Sequence, residues 1–216
     1  MTAAHAVHEP LSCSLARLAS EGGIRTLNDL VVKTGGRGIF LATILLCLPF
    51  ITPIPLPGLS NIVGLALMVV AVRQFQGSPA RLPAFLGARP WPAERMQQVL
   101  KASLKFVSWL EKLIRPRRTQ WLTASWATRW NAFVFGVMAL LLALPIPPIM
   151  PFSNAFPAYA IILLSAALME EDGATIWIAY GACVGTLVYF GLFIGVIIKF
   201  LIRFEERILD FFRGLL

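Results

Sequence analysis

Apolar positions gather into three uncharged runs, with amphipathic stretches before, between and after them. The first run, residues 38–72, is 35 residues without a charge. Its opening stretch, Ile39 to Leu48, meets Pro49, Pro53, Pro55 and Pro57. Gly58, Ser60 and Asn61 follow, and a second apolar stretch runs from Leu59 to Val72. The second run, residues 130–169, echoes the first. Phe133 to Leu144 meets Pro145, Pro147 and Pro151, and Ser153 and Asn154 precede the stretch ending at Met169. In both, 28 positions separate the proline of a Leu-Pro pair (49, 145) from a glycine (77, 173). The Ser-Asn pairs stand three places out of step in that register, so the internal repeat is approximate.

Length limits what these units can be. The 11 residues 38–48 make about 17 Å of helix and the 14 residues 59–72 about 21 Å. A hydrocarbon core of about 30 Å asks for roughly 20 residues per crossing. Neither arm spans it. A continuous helix is excluded as well, because each interior proline removes a donor and clashes with the preceding turn. A re-entrant hairpin or a helix broken in mid-membrane remains. Arms that are apolar on every face argue against a proline-rich loop between core helices of a soluble protein.

The third run, residues 173–198, has 26 uncharged residues and no proline, enough to span with tilt. Gly181, Gly185, Gly191 and Gly195 stand at four-residue spacings that let helix backbones approach, so they predict a packing or dimer face. A break near Gly191 is the alternative.

The flanking segments are amphipathic. Leu11, Leu15 and Leu18 mark a short helix, and Thr26 with Asp29 signals the start of another. Between Arg73 and Arg129 lie eleven Lys or Arg against Glu94 and Glu111 alone, with Trp91, Trp109, Trp121, Trp126 and Trp130 in or beside this stretch. Met96, Val99, Leu100, Val107, Leu110 and Ile114 form one face and Lys101, Lys105 and Lys112 another, as in an interfacial helix. Arg115, Arg117 and Arg118 suit lipid phosphates. Residues 201–216 oppose Phe204, Ile208, Phe211 and Phe212 to Arg203, Arg207 and Arg213.

Composition sharpens this picture. Hydrophobic residues make up 57% of the 216 and charged residues only 14%, against roughly 25% in ordinary soluble domains. The net charge of +8 points to anionic membrane lipids rather than nucleic acid, since the basic stretch is tethered between membrane units. No secretory signal is legible before residue 38. The basic region belongs on the cytoplasmic side, which selects the re-entrant form for the first unit. The side of Glu170, Glu171 and Asp172 stays open.

The expected fold class is therefore an all-α membrane protein. Two proline-interrupted, short-helix re-entrant units form an internal repeat, with interfacial amphipathic helices around them. It reads as one membrane-integral domain, 1–216. Amphipathic helices cover 11–37, the first re-entrant unit 38–72, the basic interfacial region 73–129 and the second unit 130–169. An apolar glycine-rich segment, 173–200, and an amphipathic tail, 201–216, complete it.

Chemistry is sparse. His5 and His8 are the only histidines, both near the N-terminus, so a Ser-His-Asp set is absent. Cys13, Cys47 and Cys183 lack metal or disulfide spacing. Neither a P-loop nor a dinucleotide fingerprint occurs. The expectation is no catalytic residue, no metal and no cofactor, with the Glu170–Asp172 turn a solvated helix end. Paired proline-interrupted segments are instead a pointer to a transport path. Its candidate residues are Pro49, Pro53, Pro55, Pro57, Gly58, Ser60, Asn61, Pro145, Pro147, Pro151, Ser153 and Asn154.

Several of these residues together resemble one family. They are Thr26-Leu-x-Asp-Leu30, Gly36-Arg-Gly38, Leu48-Pro49 through Pro53-x-Pro55-x-Pro-Gly-Leu-Ser60, Arg115-Pro116, Asn154 with Pro157, and Glu171-Asp-Gly173. In order and spacing they resemble the ExoD family of bacterial exopolysaccharide-synthesis membrane proteins, over about residues 11 to 200. Asn28, where a glycine is expected, and Glu170-Glu171, where Glu-Arg is usual, depart from it. The resemblance implies an integral protein of the bacterial cytoplasmic membrane serving exopolysaccharide production. It would be either a transport or export component or a non-transporting scaffold of the polysaccharide machinery. The basic stretch predicts anionic lipids as partners and the short arms with the glycine face a homodimer, while the resemblance adds exopolysaccharide biosynthesis proteins or a lipid-linked saccharide.

Overall fold

A computed structural model describes residues 26–34, 37–51, 58–78, 81–90, 124–145, 150 and 152–213, with isolated positions between 12 and 17 and between 92 and 122. Side chains are described to residue 195. Every element of regular structure among these residues is helical. They are α1 (Leu27–Lys33), α2 (Gly38–Cys47) with a 3-10 turn (Leu48–Phe50), α3 (Leu59–Phe75), a single turn (Ala84–Gly87), α4 (Ser125–Ala143), α5 (Ala155–Glu170) and α6 (Gly173–Arg213).

Local chemistry sets the ends. Thr26 and Asp29 form the expected capping box on α1, each side chain bonding the other's backbone N–H at 3.0 Å. Gly77, at φ 71°, closes α3: Gly77 N bonds the Gln74 carbonyl at 3.0 Å and Ser78 N that of Arg73 at 2.9 Å. That left-handed position costs glycine nothing and satisfies carbonyls that the helix end orphans. Leu144 stops α4 in extended conformation, as befits the residue before Pro145.

The helices pair as hairpins. Val70, near the end of α3, clusters with Ile39 and Ala42 at the start of α2, so these arms fold back on each other. The α4–α5 pair does the same, with Asn131 and Leu168 at one end. Antiparallel contact between α3 and α4 joins the hairpins, from Asn61 against Ala143 to Ala71 against Gly136. Helix α5 then packs between α2 and α6. Leu41 and Ile44 meet Ala166 and Met169, while Phe156 meets Tyr189 with ring centroids 4.6 Å apart. Helix α2, apolar all round, is accordingly enclosed on nearly every face. Thr43 inside it returns its hydroxyl to the Ile39 carbonyl at 2.9 Å.

Four expectations change. The 17 residues of α3, about 26 Å, carry it past Val72 through Arg73 to Phe75. The first arm of the second unit begins at Ser125 rather than near Phe133. Its 19 residues make it, with Gly173–Gly195, one of two helices among the described residues that are long and apolar enough to cross a membrane. The arms of the two hairpins are thus unequal. No break interrupts α6 at Gly191, nor does a separate tail helix follow; one 41-residue helix runs through, because no proline or paired glycine interrupts its ladder. Finally, Met96, Leu100 and Val107 do not offer an open interfacial face. They are buried against Leu30, Leu41, Ile44, Ala166 and Met169, leaving Lys101 and Lys105 outward.

Among the described residues the outer surface is strongly apolar. Ile62, Leu65, Val69 and Val72 on α3, Trp130, Phe133 and Leu140 on α4, and Trp177, Val184, Val188 and Leu192 on α6 are all exposed. Most of the Gly173–Gly195 stretch is exposed or half-buried. Isolated exposed apolar residues are ordinary, but faces this continuous call for lipid or a protein partner.

Candidate functional site

The proline-loop ends of the two hairpins meet, and their polar residues serve the junction. Asn61 donates from Nδ2 to the Ala143 carbonyl at 3.1 Å, and Ser60 Oγ lies 3.3 Å from Asn61 Oδ1. Ala143 ends α4, so its carbonyl has no partner in its own helix and Asn61 caps it. Gly64 sits one turn further along α3. A Cβ there would stand 2.5 Å from Ala143 N, 2.7 Å from its Cα and 2.8 Å from the Ala139 carbonyl oxygen. The contact is dry. Gly58 (φ 82°) starts α3; Pro49 and Pro145 are exposed at the loop margins, and Ser153 and Asn154 are half-buried in the turn before α5. Pro53, Pro55, Pro57, Pro147 and Pro151 lie outside the described residues, as do Arg115, Arg117 and Arg118.

The glycines chosen from spacing in α6 make no close approach to the described residues of the protomer. A Cβ at Gly181, Gly185, Gly191 or Gly195 meets nothing within 4 Å. The close approach is made by Gly64 instead. Its sequence signal was present as small residues four apart, Ser60 with Gly64 and Ala139 with Ala143, on two helices that touch.

The opposite ends of the hairpins border an open, largely apolar vestibule of about 360 Å³ with a few polar side chains in its wall. It is lined by the start of α2 (Ile39, Phe40), the end of α3 (Gln74, Gly77, Ser78), the start of α4 (Thr128, Asn131), Leu122, Leu168 and Glu171. Asn131 is 2% exposed. Its Oδ1 accepts a 2.6 Å hydrogen bond from Tyr180 Oη, and its Nδ2 has no partner within the protein. Buried amides are nearly always satisfied, so such a group marks a place where something else binds or strain is held. Sequence reading passed over Asn131 because a lone polar residue in an apolar run looks incidental.

On the far side of the Asn131–Tyr180 bond lies an apolar groove of about 540 Å³ between α4 and α6, which run in the same direction. Trp126, Trp130, Phe133, Trp177, Val184 and Leu187 line it and face outward.

The acidic turn is not the solvated helix end expected from sequence. Glu170 and Asp172 are buried and Glu171 is half-buried at φ 53°. Asp172 caps α6, accepting from Ala174 N at 3.1 Å and from Thr175 N and Oγ1 at 3.3 and 2.6 Å. Asn28, the departure noted on α1, clamps the segment before the Ala84–Gly87 turn. Its amide exchanges two bonds with the Leu82 backbone, at 3.0 and 3.1 Å. Among the described residues no three potential metal ligands cluster.

With this geometry in place, comparison with known proteins is informative. Residues 11–192 match the family model described as "Exopolysaccharide synthesis, ExoD". The chain is 30% identical over 171 residues to Protein ExoD of Rhizobium meliloti (strain 1021), covering 79% of this chain and 71% of that protein. It is also 28% identical over 134 residues to an uncharacterised protein of Synechocystis sp., covering 62% of this chain and 61% of the relative. No solved structure matches the fold.

Proposed function

We propose that this chain, which belongs to the ExoD exopolysaccharide-synthesis family, is a non-catalytic integral protein of the bacterial cytoplasmic membrane that takes part in moving a saccharide-bearing substrate. The observation carrying this reading is the vestibule between the two hairpins, with the buried, unpaired amide nitrogen of Asn131 in its wall. Two interrupted helical units meeting around a polar site are the arrangement on which many transporters are built. The first hairpin is re-entrant in this reading, with the vestibule open to the cytoplasmic side and the proline loop inside the bilayer. The path assigned earlier to Ser60 and Asn61 shifts to the vestibule end, because Asn61 is committed to Ala143.

Reconstitution tests this. Proteoliposomes loaded with a fluorescent, phosphate-free oligosaccharide glycolipid should show protein-dependent movement between leaflets, and Asn131→Leu should reduce it about tenfold or more. Absence of flux in oriented, folded protein would remove the transport role. The dry junction around Gly64 supports the second reading, a scaffold for the polysaccharide machinery. A scaffold gives no flux by itself, yet co-purifies with polysaccharide biosynthesis proteins.

Two further expectations belong to this reading. The open glycine face of α6 is proposed as a homodimer contact. Gly185→Leu should shift the protein from dimer to monomer in native-like lipid without changing its fold; a wild-type monomer would end the proposal. Arg115, Arg117 and Arg118 are proposed to hold anionic head groups. Each contributes about 1 kcal/mol near a charged surface, so a triple Gln variant should retain less phosphatidylglycerol on purification, and unchanged retention would count against them.

A further inference from the structure

The vestibule and the apolar groove are linked by one side-chain pair. Asn131 lines the first, Tyr180 lines the second, and the two share the 2.6 Å hydrogen bond. We infer that together they form one site for an amphiphile, with an uncharged, hydroxyl-rich glycosyl head in the vestibule and its apolar chain in the groove. This deepens the proposed function, and rests on it, by naming the chemical class of the substrate.

The chemistry of the walls selects the head. The Gln74 amide offers a donor, the Ser78 hydroxyl both donates and accepts, and Asn131 Nδ2, buried in the wall, adds a second donor once the Tyr180 bond opens. Glu171 supplies a carboxylate that accepts from hydroxyls and repels phosphate. Among the described residues lining the vestibule there is no Lys or Arg. A phosphate head would therefore meet the Glu171 carboxylate with no cation among the described lining residues. Phe40, beside these groups, provides an apolar face of the kind a sugar ring covers. The groove selects the chain, since its lining is aliphatic and aromatic and opens outward to where lipid lies. Each volume falls within the roughly 300–1,000 Å³ of ordinary ligand sites. An amphiphile occupying both parts displaces the Tyr180–Asn131 bond, and its hydroxyls take up both groups.

The test is direct binding to the full-length protein in phosphatidylglycerol nanodiscs. The probe is radiolabelled dodecyl-β-maltoside below its micellar concentration, with uptake by empty nanodiscs subtracted. Saturable binding is expected, displaced by excess unlabelled dodecyl-β-maltoside and not by dodecylphosphocholine. Asn131→Asp keeps the acceptor for Tyr180 but removes the donor, and should weaken binding about tenfold or more. Ser78→Trp, made from an exposed position at the vestibule, should block the head without touching the buried core. Equal competition by dodecylphosphocholine, no saturable binding, or binding unchanged in Ser78→Trp would each overturn the inference. Oligosaccharide flux that persists without maltoside binding sinks this inference alone. Binding without flux sinks only the transport reading.

Discussion

Gly64→Ala should lower the protein's stability, whereas Gly181→Ala, the same exchange on another apolar helix, should not. The Cβ added at position 64 would stand 2.5–2.8 Å from backbone atoms of Ala143 and Ala139. Backbone cannot rotate out of the way as a side chain can, so α3 and α4 must separate where Asn61 bonds the Ala143 carbonyl. Overpacking of this kind costs about 1–3 kcal/mol. It opposes a gain of about 1 kcal/mol in helix propensity from replacing glycine. At Gly181 the Cβ meets nothing within 4 Å, so only the propensity gain operates. Thermal unfolding followed in one detergent or nanodisc compares the two directly. Gly64→Leu, with three more carbons in the same gap, should abolish assembly. Equal stability of Gly64→Ala and Gly181→Ala would show that the junction is not close-packed.

Single cysteines at Arg37 and Arg73 should react with a membrane-impermeant maleimide from the same side of sealed, uniformly oriented vesicles. The motivation is the first hairpin: Val70 and Ile39 share a buried cluster, which places the start of α2 beside the end of α3. The 10 residues of α2 make only about 15 Å of helix, half of a bilayer core. Cys13, Cys47 and Cys183 must first be replaced by alanine; Cys47 and Cys183 are buried, so the background is checked for folding before labelling. A cysteine at Leu56 reports the loop. In a re-entrant hairpin it stays unreactive from the far side. Labelling of positions 37 and 73 from opposite sides would require a spanning helix and end the re-entrant reading.

Helical class, the lengths of the apolar runs, the capping box at Thr26 and the family were legible in the residues themselves. Each rests on local physics. Uncharged runs of fixed length must be helical in lipid, a Thr-x-x-Asp pattern satisfies its own backbone donors, and interior prolines end helices wherever they stand. Tertiary structure decided which polar and small residues carry consequences. Asn61 looked like a ligand and is a cap, because the orphan carbonyl it meets belongs to a helix 82 residues later. Asp172 looked solvated and caps α6 in a buried turn. The glycine spacing of α6 and the Ser60–Gly64 spacing of α3 read alike, yet only α3 has a partner backbone against it. Asn131 acquires meaning only when α2 begins and α3 and α5 end around it and Tyr180 fixes one side of its amide. A spacing or a composition describes one segment, whereas close approach, burial and an unpaired donor are properties of two or more. Those came into being only when distant segments packed.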